Sequence, residues 1–526
     1  MRTAHAVAAV REAEGALMAE LPDGVLMQRA AAGLAAACAG LLRRDGRSAG
    51  VYGSRVVVLA GSGDNGGDAL YAGARLAARG VVVTAIAAAP RIHEGGAAAL
   101  RACGGRVIEA GGAGLNPAVT SAIEGADLIV DGLLGIGGRG GLREPAAQLA
   151  KAARGSRAPV VAVDLPSGID ADSGEAAGAA IQADVTVTFG TLKPGLLIDP
   201  GASHAGVVEL VDIGLAAHLA KPDVAAPQAA DVGAWLPRPS AESDKYRRGV
   251  LGIVAGSDRF TGAAQLSVGG AIRGGAGMVR LVSAETAVAV VRQHWPEAVI
   301  TTIGAGQTGA EVIHTAGQVQ AWVAGPGMGT DAAAAGRLEA VLATELPVLV
   351  DADGITLLAD ADHRKRLLRR ASPTLITPHA GELARLLGAD RADIEAHRLR
   401  FVTQAAKELG CTVLLKGSTT VIAAPQQDHP VLVNSTGTSW LATAGSGDVL
   451  SGLAGSLLAQ GLEPQHAAAA AAFLHGIAAR LSADGVTGET GGAEAAGAAQ
   501  GAPIGASDLL SALPAATRVV KAAADT

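Results

Sequence analysis

Short runs of β-branched residues alternate along the chain with Gly-rich turns and with Ala- and Leu-rich segments of helical periodicity. In the first part of the chain this pattern predicts strands over 55–60, 81–87, 127–131, 159–164, 184–189 and 207–211. Helical segments lie between several of them, notably over 68–79. Alternation of strands and helices predicts a parallel sheet that is covered by helices on both faces.

The same pattern begins again after residues 220–240, which contain several prolines and lack sustained periodicity. In the second part we predict strands over 250–255, 278–283, 320–324, 347–351, 374–377, 412–416 and 420–423. Helices are predicted over 380–387 and 447–459. A second α/β domain is therefore expected.

These patterns predict a first domain over 1–222, a linker over 223–240 and a second domain over 241–526. A length of 526 residues is long enough for two or three domains. Residues 484–504 are low in complexity, which predicts a surface loop.

Composition and charge narrow the class of protein. The net charge is −7 and no long basic run is present, so nucleic-acid binding is not expected. Cys38, Cys103 and Cys411 are far apart and lack partners at metal-ligand spacing, which favours reduced thiols over disulfides or a zinc site. The N-terminal segment reads as an amphipathic helix, and no run of about 18 apolar residues occurs. We therefore expect a cytoplasmic protein that does not bind membranes.

A Gly-rich turn follows the first predicted strand. Gly61, Gly63 and Gly66 match the pattern G-x-G-x-x-G, in which backbone N–H groups and a helix N-terminus can approach a pyrophosphate. A dinucleotide-dependent dehydrogenase would also need an acidic residue about 20 positions further on. The next strand, over 81–87, carries none. An ordinary Rossmann dehydrogenase is therefore disfavoured.

Polar residues recur where strands of the first domain end. Asn65 lies in the Gly-rich turn, Asp131 ends a later strand, and Asp164 and Ser167 follow the next one. The carboxyl ends of parallel strands converge on one crevice, so these side chains could share a site. Asn65, Asp131 and Ser167 could together supply oxygen ligands to a hard cation. Each of them taken singly could instead be a cap or a turn residue.

The segments GSGDNGGDA, DGLLGIGGRG, VDLPSGIDADSG and TLKPGL resemble the YjeF N-terminal family, the NAD(P)HX epimerases, over nearly all of residues 1–220. The resemblance implies a Rossmann-like three-layer sandwich that binds hydrated NADH or NADPH (NADHX or NADPHX) and interconverts their C6 epimers. It implies a potassium ion at Asn65, Asp131 and Ser167. It also implies that Asp164 works as acid or base, with Lys193 contributing charge to the same pocket.

The same resemblance implies a set of substrate-binding positions in the first domain. They are Asp64, Asn65, Gly66, Gly67, Asp68, Gly135, Ile136, Gly137, Gly138, Arg139, Gly140, Gly141 and Asp164. The chain departs from the usual family loop, Asn-Asn-Gly-Gly-Asp-Gly, at Asp64 and Ala69. The extra carboxylate of Asp64 could either tighten cation binding or repel the pyrophosphate.

The most specific motif of the second domain is LATAGSGDVLSGLAGSLLAQG. Residues 444–447 form a turn of small residues, and Asp448 opens an apolar helix. Amide groups in the turn and the helix dipole can stabilise developing negative charge, while Asp448 can accept a proton from an incoming hydroxyl. Asp448 could instead be only an N-cap. The motif resembles the GxGD signature of ribokinase-like kinases, so a sugar or vitamin-precursor kinase with an N-terminal ligand-binding module is an alternative function.

Four further segments narrow the choice: FTGAAQLSVGGAIRGGAGMVRLV, VAGPGMGT, LITPHAGELARLLG and VLLKGSTTVI. With the GSGD motif they resemble the ADP/ATP-dependent NAD(P)HX dehydratases over about residues 240–520. The resemblance implies a ribokinase-like α/β domain. It implies substrate contacts at Ala263, Gly327, His379 and Asp448, and nucleotide contacts at Lys416, Gly417, Ser418, Thr419, Thr420 and Gly447. Taken alone, Lys416 could be a surface lysine and His379 a helix cap.

Together the two resemblances imply a bifunctional repair enzyme, an isomerase and a lyase. The first domain would interconvert the (R) and (S) hydrates, and the second would dehydrate the (S) form with ADP or ATP as phosphoryl donor. With ADP, the products would be NAD(P)H, AMP and phosphate. Mg²⁺ would bridge the nucleotide phosphates. The resemblance also implies a homo-oligomer. A non-catalytic binding role for the first domain remains an alternative.

Overall fold

The computed structural model describes most of the chain, namely residues 1–44, 50–111, 114–426, 428–484 and 501–526. The described residues divide into two compact units. One runs from Thr3 to Val224, and the other runs from Ala225 to Thr526 and includes Met1 and Arg2. The low-complexity stretch 484–504 lies mostly outside the described residues.

Strands and helices alternate in the chain up to Val224, as the sequence pattern predicts. The strands are β1 (Arg2–Ala4), β2 (Arg55–Ala60), β3 (Val82–Ala87), β4 (Arg106–Glu109), β5 (Leu128–Gly132), β6 (Val160–Val163), β7 (Val185–Phe189) and β8 (Val207–Val211). The helices are α1 (Val7–Glu20), α2 (Val25–Arg44), α3 (Asp64–Ala77), α4 (Glu94–Ala102), α5 (Pro117–Glu124), α6 (Ala146–Gly155) and α7 (Gly201–Ala205).

The sheet of the first unit has the strand order β4-β3-β2-β5-β6-β7-β8, and all neighbouring strands are parallel. Alternate residues of β2 pack into hydrophobic cores on opposite faces of the sheet. Val56 and Val58 pack with α2 and α3 on one face, whereas Val57 and Leu59 pack with α5 and α6 on the other. The predicted three-layer sandwich is confirmed. Strand β4 escaped prediction because it is a half-exposed edge strand with a charged residue at each end.

Helix α2 is long and apolar enough, by length and composition alone, to cross a membrane. In the structure, Ala31, Leu34 and Cys38 of this helix are fully buried in the core that also contains β2. The core helix of a soluble protein has the same length and composition, so this helix is weak evidence for a membrane span.

The second unit also alternates strands with helices. Its strands are β9 (Val224–Ala226), β10 (Val250–Val254), β11 (Met278–Ser283), β12 (Val299–Thr302), β13 (Ala321–Ala324), β14 (Val348–Val350), β15 (Thr374–Ile376), β16 (Thr412–Leu415), β17 (Thr420–Ala423) and β18 (Val431–Asn434). Its helices are α8 (Ala229–Trp235), α9 (Thr261–Arg273), α10 (Glu285–His294), α11 (Gly309–Ala316), α12 (Ala332–Leu342), α13 (Asp353–Leu358), α14 (Ala361–Leu368), α15 (Ala380–Leu387), α16 (Arg391–Ala396), α17 (Arg398–Leu409), α18 (Ser446–Ala459), α19 (Pro464–Ala483) and α20 (Ala506–Ala524).

The second sheet has the strand order β1-β9-β18-β17-β16-β15-β14-β13-β10-β11-β12. Pairing is parallel from β12 to β16 and antiparallel from β16 to β18. Because β14, β15 and β16 are parallel neighbours, the loops after them meet at one edge. That edge carries Asp351, His379 and Lys416.

The stretch 223–240, which the sequence predicts to be a linker, contains regular structure instead. Strand β9 and helix α8 form within it, and Val224, Ala226 and Val232 are buried. Both elements are short and prolines lie close to them, so no apolar period is long enough to be recognised in the sequence.

Helices α9 and α18 pack closely through small residues. A Cβ atom at Gly452 would lie 1.9 Å from the carbonyl oxygen of Ser267, and one at Gly270 would lie 2.3 Å from that of Val449. The absence of side chains lets the two backbones touch.

Candidate active sites

The Gly-rich turn of the first unit lies between β2 and α3. The backbone N–H of Gly61 donates to the carbonyl oxygen of Gly132 at 3.0 Å, and a Cβ atom at Gly61 would lie 1.9 Å from the carbonyl oxygen of Leu133. Only glycine allows this approach, so the turn after β2 lies against the loop after β5. Helix α3 begins at Asp64, four residues before the predicted start of the helical segment.

Asp131 and Ser167 join the ends of β5 and β6. Asp131 is fully buried; its Oδ1 accepts a hydrogen bond from Ser167 Oγ at 2.7 Å, and its Oδ2 accepts one from Ser167 N at 2.9 Å. Burial raises the pKa of Asp131 to about 6. Asn65 lies beside the same loop, since a Cβ atom at Gly135 would be 3.0 Å from its Oδ1. Asn65 Nδ2 is buried without a hydrogen-bond partner.

Asp164 and Lys193 form a buried ion pair in the same unit. Lys193 Nζ donates to Asp164 Oδ1 at 2.5 Å and also to Thr188 Oγ1 at 3.1 Å. Lys193 is 1% exposed and Asp164 is 8% exposed. Asp164 has a φ of 64°, a left-handed conformation that is rare for a residue with a side chain and that often occurs at functional sites. The predicted acid/base residue and its lysine are therefore in direct contact.

Asp68 lies in the first turns of α3 and has a strongly perturbed carboxyl group. Burial, together with the charges of Asp164, Asp64 and Glu14, raises its pKa to about 8. Its Oδ1 atom is buried and has no hydrogen-bond partner. The carboxyl group is therefore protonated at neutral pH and can donate a proton.

The predicted substrate loop 135–141 follows β5. Its first residues form a turn in which the N–H of Gly138 donates to the carbonyl oxygen of Gly135 at 2.9 Å. At its end, a Cβ atom at Gly141 would lie 2.6 Å from the Cα of Gly178. The loop borders Asn65 at one end and is packed against backbone at the other, which fixes its path across the site.

In the second unit, Asp448 lies in the first turn of α18, after Gly445, whose φ of 86° is in the left-handed region. Burial raises the pKa of Asp448 to about 7; the charge of Asp351 adds to this effect and that of Lys416 opposes it. A base with a pKa near the working pH is well matched to proton transfer. The predicted residue therefore has the electrostatics of a general base.

Lys416 connects several groups around Asp448. Its Nζ donates to Asp351 Oδ1 at 2.8 Å and lies 3.9 Å from Glu382 Oε2. Burial alone would lower the pKa of Lys416, but the charges of Asp351, Glu382 and Asp448 raise it, so the amine stays protonated. A Cβ atom at Gly447 would lie 3.6 Å from this ammonium group. The structure thus brings Lys416, Gly447 and Asp448 together, as predicted.

Of the remaining predicted positions, His379 lies beside Lys416, with which it forms a parallel bridge. His379 caps α15, because its Nδ1 accepts hydrogen bonds from the N–H groups of Gly381 and Glu382 at 3.0 and 3.2 Å. Ala263 and Gly327 are neighbours: a Cβ atom at Gly327 would lie 2.7 Å from the Cβ of Ala263.

Residues 417–419 form the hairpin turn between β16 and β17, and Thr420 is the first residue of β17. Gly417 and Ser418 are exposed, whereas Thr419 is buried. This turn follows Lys416 directly, so it lies at the edge of the same site.

Sequence reasoning missed Asp351, Glu382, Ser451 and Glu14. Asp351 ends the predicted strand 347–351 and accepts hydrogen bonds from Lys416 and, at 2.6 Å, from Ser451 Oγ. A carboxylate at a strand end was the signal that found Asp131 and Asp164, and it could have found Asp351. Glu382 belongs to a capping box that sequence spacing could have shown. Ser451 and Glu14 carried no local signal.

Within the described residues, there is no group of three or more His, Cys, Asp or Glu side chains that could bind a metal ion. Two smaller donor sets remain. Asp131, Ser167 and Asn65 offer carboxylate, hydroxyl and amide groups, and the buried Asp131 has no ion pair within the described part of the chain. Asp351 and Glu382 share the single ammonium of Lys416, which leaves excess negative charge that a divalent cation would offset.

Comparison with known proteins gives matches in both units. Residues 23–195 match the family model described as YjeF-related protein N-terminus, and residues 251–491 match NAD(P)H-hydrate dehydratase. The bifunctional NAD(P)H-hydrate repair enzyme Nnr of Mycobacterium leprae is 47% identical over 485 residues, which are 92% of this chain and 94% of that protein. Nnr of Mycobacterium tuberculosis is 48% identical over 470 residues, 89% of this chain and 92% of that protein.

A solved structure of ADP/ATP-dependent NAD(P)H-hydrate dehydratase from Bacillus subtilis, co-crystallised with ATP and Mg²⁺, is also similar. It is 28% identical and covers 56% of this chain and 97% of that chain, with a TM-score of 0.45.

Proposed function

Because the chain belongs to the family of bifunctional NAD(P)H-hydrate repair enzymes, we propose that its first unit epimerises hydrated NADH and NADPH and its second unit dehydrates one epimer. The chain is thus an isomerase and a lyase. The observation that carries the proposal is the position of Asp448, a half-buried carboxyl group at the N-terminus of α18 beside Lys416 and Gly447. We further propose ADP as donor, the (S) hydrate as the dehydrated epimer and a cytoplasmic location.

Dehydration requires a better leaving group than hydroxide. Asp448 takes the proton of the C6 hydroxyl group, whose oxygen forms a bond to the β-phosphorus of ADP as AMP departs. Lys416 and the amide groups at the start of α18 stabilise the charge of the transferring phosphoryl group. Phosphate then leaves C6 with the electrons of the C–O bond, and loss of a proton from C5 forms the double bond of NADH. The reaction balances as hydrate plus ADP giving NADH, AMP and phosphate.

Magnesium fits the charge of this site. Asp351 and Glu382 would hold the ion, and when bound it would neutralise the phosphates of the nucleotide. Within the chain itself, Asp351 also fixes Lys416 through their hydrogen bond and holds the side chain of Ser451 on α18. This arrangement keeps Lys416 next to Gly447.

The dehydratase rate is expected to fall below neutral pH. Since the pKa of Asp448 is raised to about 7, its carboxyl group is mostly protonated below that pH and cannot accept a proton. In kcat/KM measured against pH, we expect half of the plateau value near pH 7 and a decrease of about tenfold for each further unit of acid. A rate that stays constant down to about pH 5 would exclude Asp448 as the base.

Epimerisation requires C6 to lose its hydroxyl group and regain it on the other face. Asp68, protonated at neutral pH, donates a proton to the departing hydroxyl group. Asp164, which forms an ion pair with Lys193, accepts a proton from the water that returns to the other face of C6. Asp164 then releases this proton and Asp68 takes one up, which restores both groups for the next turnover. Two carboxyl groups with different environments can thus divide the acid and base roles.

Potassium fits the first unit, and we propose that Asn65, Asp131 and Ser167 hold it. The ion would neutralise the buried Asp131 and orient the loops after β2, β5 and β6. In KCl, the first unit should unfold at a temperature a few degrees higher than in tetramethylammonium chloride of equal ionic strength. Ser167→Ala should remove most of this difference, whereas the exposed control Ser121→Ala should retain it. Equal unfolding temperatures of the wild type in the two salts would contradict the proposal.

A further inference from the structure

Helix α1 lies outside the family match of the first unit, which begins at residue 23. Its start is nevertheless attached to the segment that carries Lys193. His5 Nδ1 lies 2.7 Å from Thr191 Oγ1, and Ala4 pairs with Leu192 in a parallel bridge. His5 and Thr191 are both buried. The chain therefore enters α1 directly beside the reactive lysine.

The first turn of α1 is also attached to the loop that follows Asp164. The backbone N–H of Val7 donates to Asp172 Oδ1 at 2.6 Å. Val10, Ala13 and Leu17 of the helix are buried and hold it against the unit. These contacts fix α1 along its length at the edge of the candidate epimerase site.

Two charged residues of α1, one turn apart, face that site. Burial raises the pKa of Glu14. The charges of Lys193 and Arg11 lower this pKa, and those of Asp164 and Asp64 raise it. Glu14 is therefore within electrostatic reach of the Asp164–Lys193 pair. Since residues three positions apart lie on the same face of a helix, Arg11 is on this face as well.

Arg11 reaches the loop 135–141. A Cβ atom at Gly137 would lie 3.2 Å from Arg11 Nη2, so the guanidinium group is in contact with the backbone of this loop. Within the described part of the chain, Arg11 makes no hydrogen bond or ion pair. Its N–H donors are therefore available to a ligand that lies on the loop.

The charge of the site favours such a cation. The carboxylates of Glu14, Asp64 and Asp164 interact electrostatically with one another, and Lys193 pairs with Asp164, whereas Asp68 is protonated at neutral pH. A hydrated dinucleotide carries a pyrophosphate with about two negative charges, which these carboxylates would repel. Arginine binds phosphate oxygens with two parallel hydrogen bonds and keeps its charge at every relevant pH.

We propose that α1 is part of the epimerase site and that Arg11 binds the pyrophosphate of the hydrated dinucleotide above the loop 135–141. This inference rests on the proposed epimerase function. It makes Arg11 a specificity residue: it selects the dinucleotide and takes no part in proton transfer. The positive charge of Arg11 would offset the additional carboxylate of Asp64, so that the site can accept an anionic substrate.

The test compares Arg11→Ala with Arg79→Ala in the full-length protein. Arg79 is exposed beyond the far end of α3, about 20 Å along the helix from the Gly-rich turn. Epimerase kinetics are followed by chromatography with the epimer that the dehydratase does not consume. ADP-ribose, which has the pyrophosphate but lacks nicotinamide, serves as a competitive inhibitor.

For Arg11→Ala we expect KM and the inhibition constant of ADP-ribose to rise about tenfold or more, with kcat within about twofold of the wild type. Arg11→Lys should give intermediate values, and Arg79→Ala should match the wild type. Dehydratase activity of the same samples reports whether each variant is folded. If Arg11→Ala and Arg79→Ala have the same KM, the inference is wrong while the proposed function stands. If the wild type itself does not epimerise, the proposed function fails instead.

Discussion

Asp448→Asn is expected to lower the dehydratase rate by about a thousandfold, within the range that general bases contribute to catalysis. The substitution keeps the size and shape of the side chain but removes its capacity to accept a proton. Burial and the charge of Asp351 raise the pKa of the wild-type carboxyl group to about 7, so it accepts a proton efficiently at neutral pH. Bulk water is a much weaker base and cannot replace this group. The rate is measured as the return of NADH absorbance from hydrated NADH and ADP.

The control for this variant is Asp390→Asn in the same unit. Asp390 is exposed and its side chain makes no capping hydrogen bond to α16, so the same chemical change should leave the rate unaltered. Nucleotide affinity of Asp448→Asn should stay within about threefold of the wild type, because Lys416 keeps its ion pair with Asp351. An undiminished dehydratase rate in Asp448→Asn would remove this residue from the mechanism.

The second large effect is expected at the buried pair of the first unit. Asp164→Asn should lower the epimerase rate by about a hundredfold or more, because the base is lost. It should also destabilise the first unit by about 3–5 kcal/mol, because Lys193, 1% exposed, keeps its charge without a partner. Denaturant unfolding and epimer consumption measure the two effects.

A double substitution separates stability from catalysis at this pair. Asp164→Asn combined with Lys193→Met removes both charges, so much of the stability should return while epimerase activity stays absent. Glu20→Gln, which disrupts an exposed pair with His218, is the control and should cost at most about 1 kcal/mol. Recovery of epimerase activity in the double variant would show that the pair is structural only.

Sequence patterns predicted the central strands well and the marginal ones poorly. Buried parallel strands such as β6 and β14 are apolar throughout and are bounded by turns, so they could be recognised. Strands β4 and β12 lie at sheet edges and are partly exposed, and β9 is short. Their positions depend on pairing with distant segments, which local sequence does not encode.

The candidate sites divide in the same way. Asp131, Asp164 and Asp448 were predicted because each lies at the end of a strand, directly after one or after a small-residue turn, where the fold directs side chains to one edge. Glu14 and Arg11 belong to a helix that packs beside the site through His5 and Val7. Their part in the site follows only from tertiary contacts, so no spacing in the sequence predicted it.

The most direct test of the account is the product balance for a mixture of both hydrate epimers with ADP. The wild-type chain should convert all of the hydrate into NADH and release AMP and phosphate in amounts equal to the NADH formed. An epimerase and a dehydratase specific for one epimer, acting together, consume both epimers in this way. Accumulation of a stable phosphorylated product without NADH, as a small-molecule kinase would give, would contradict the account.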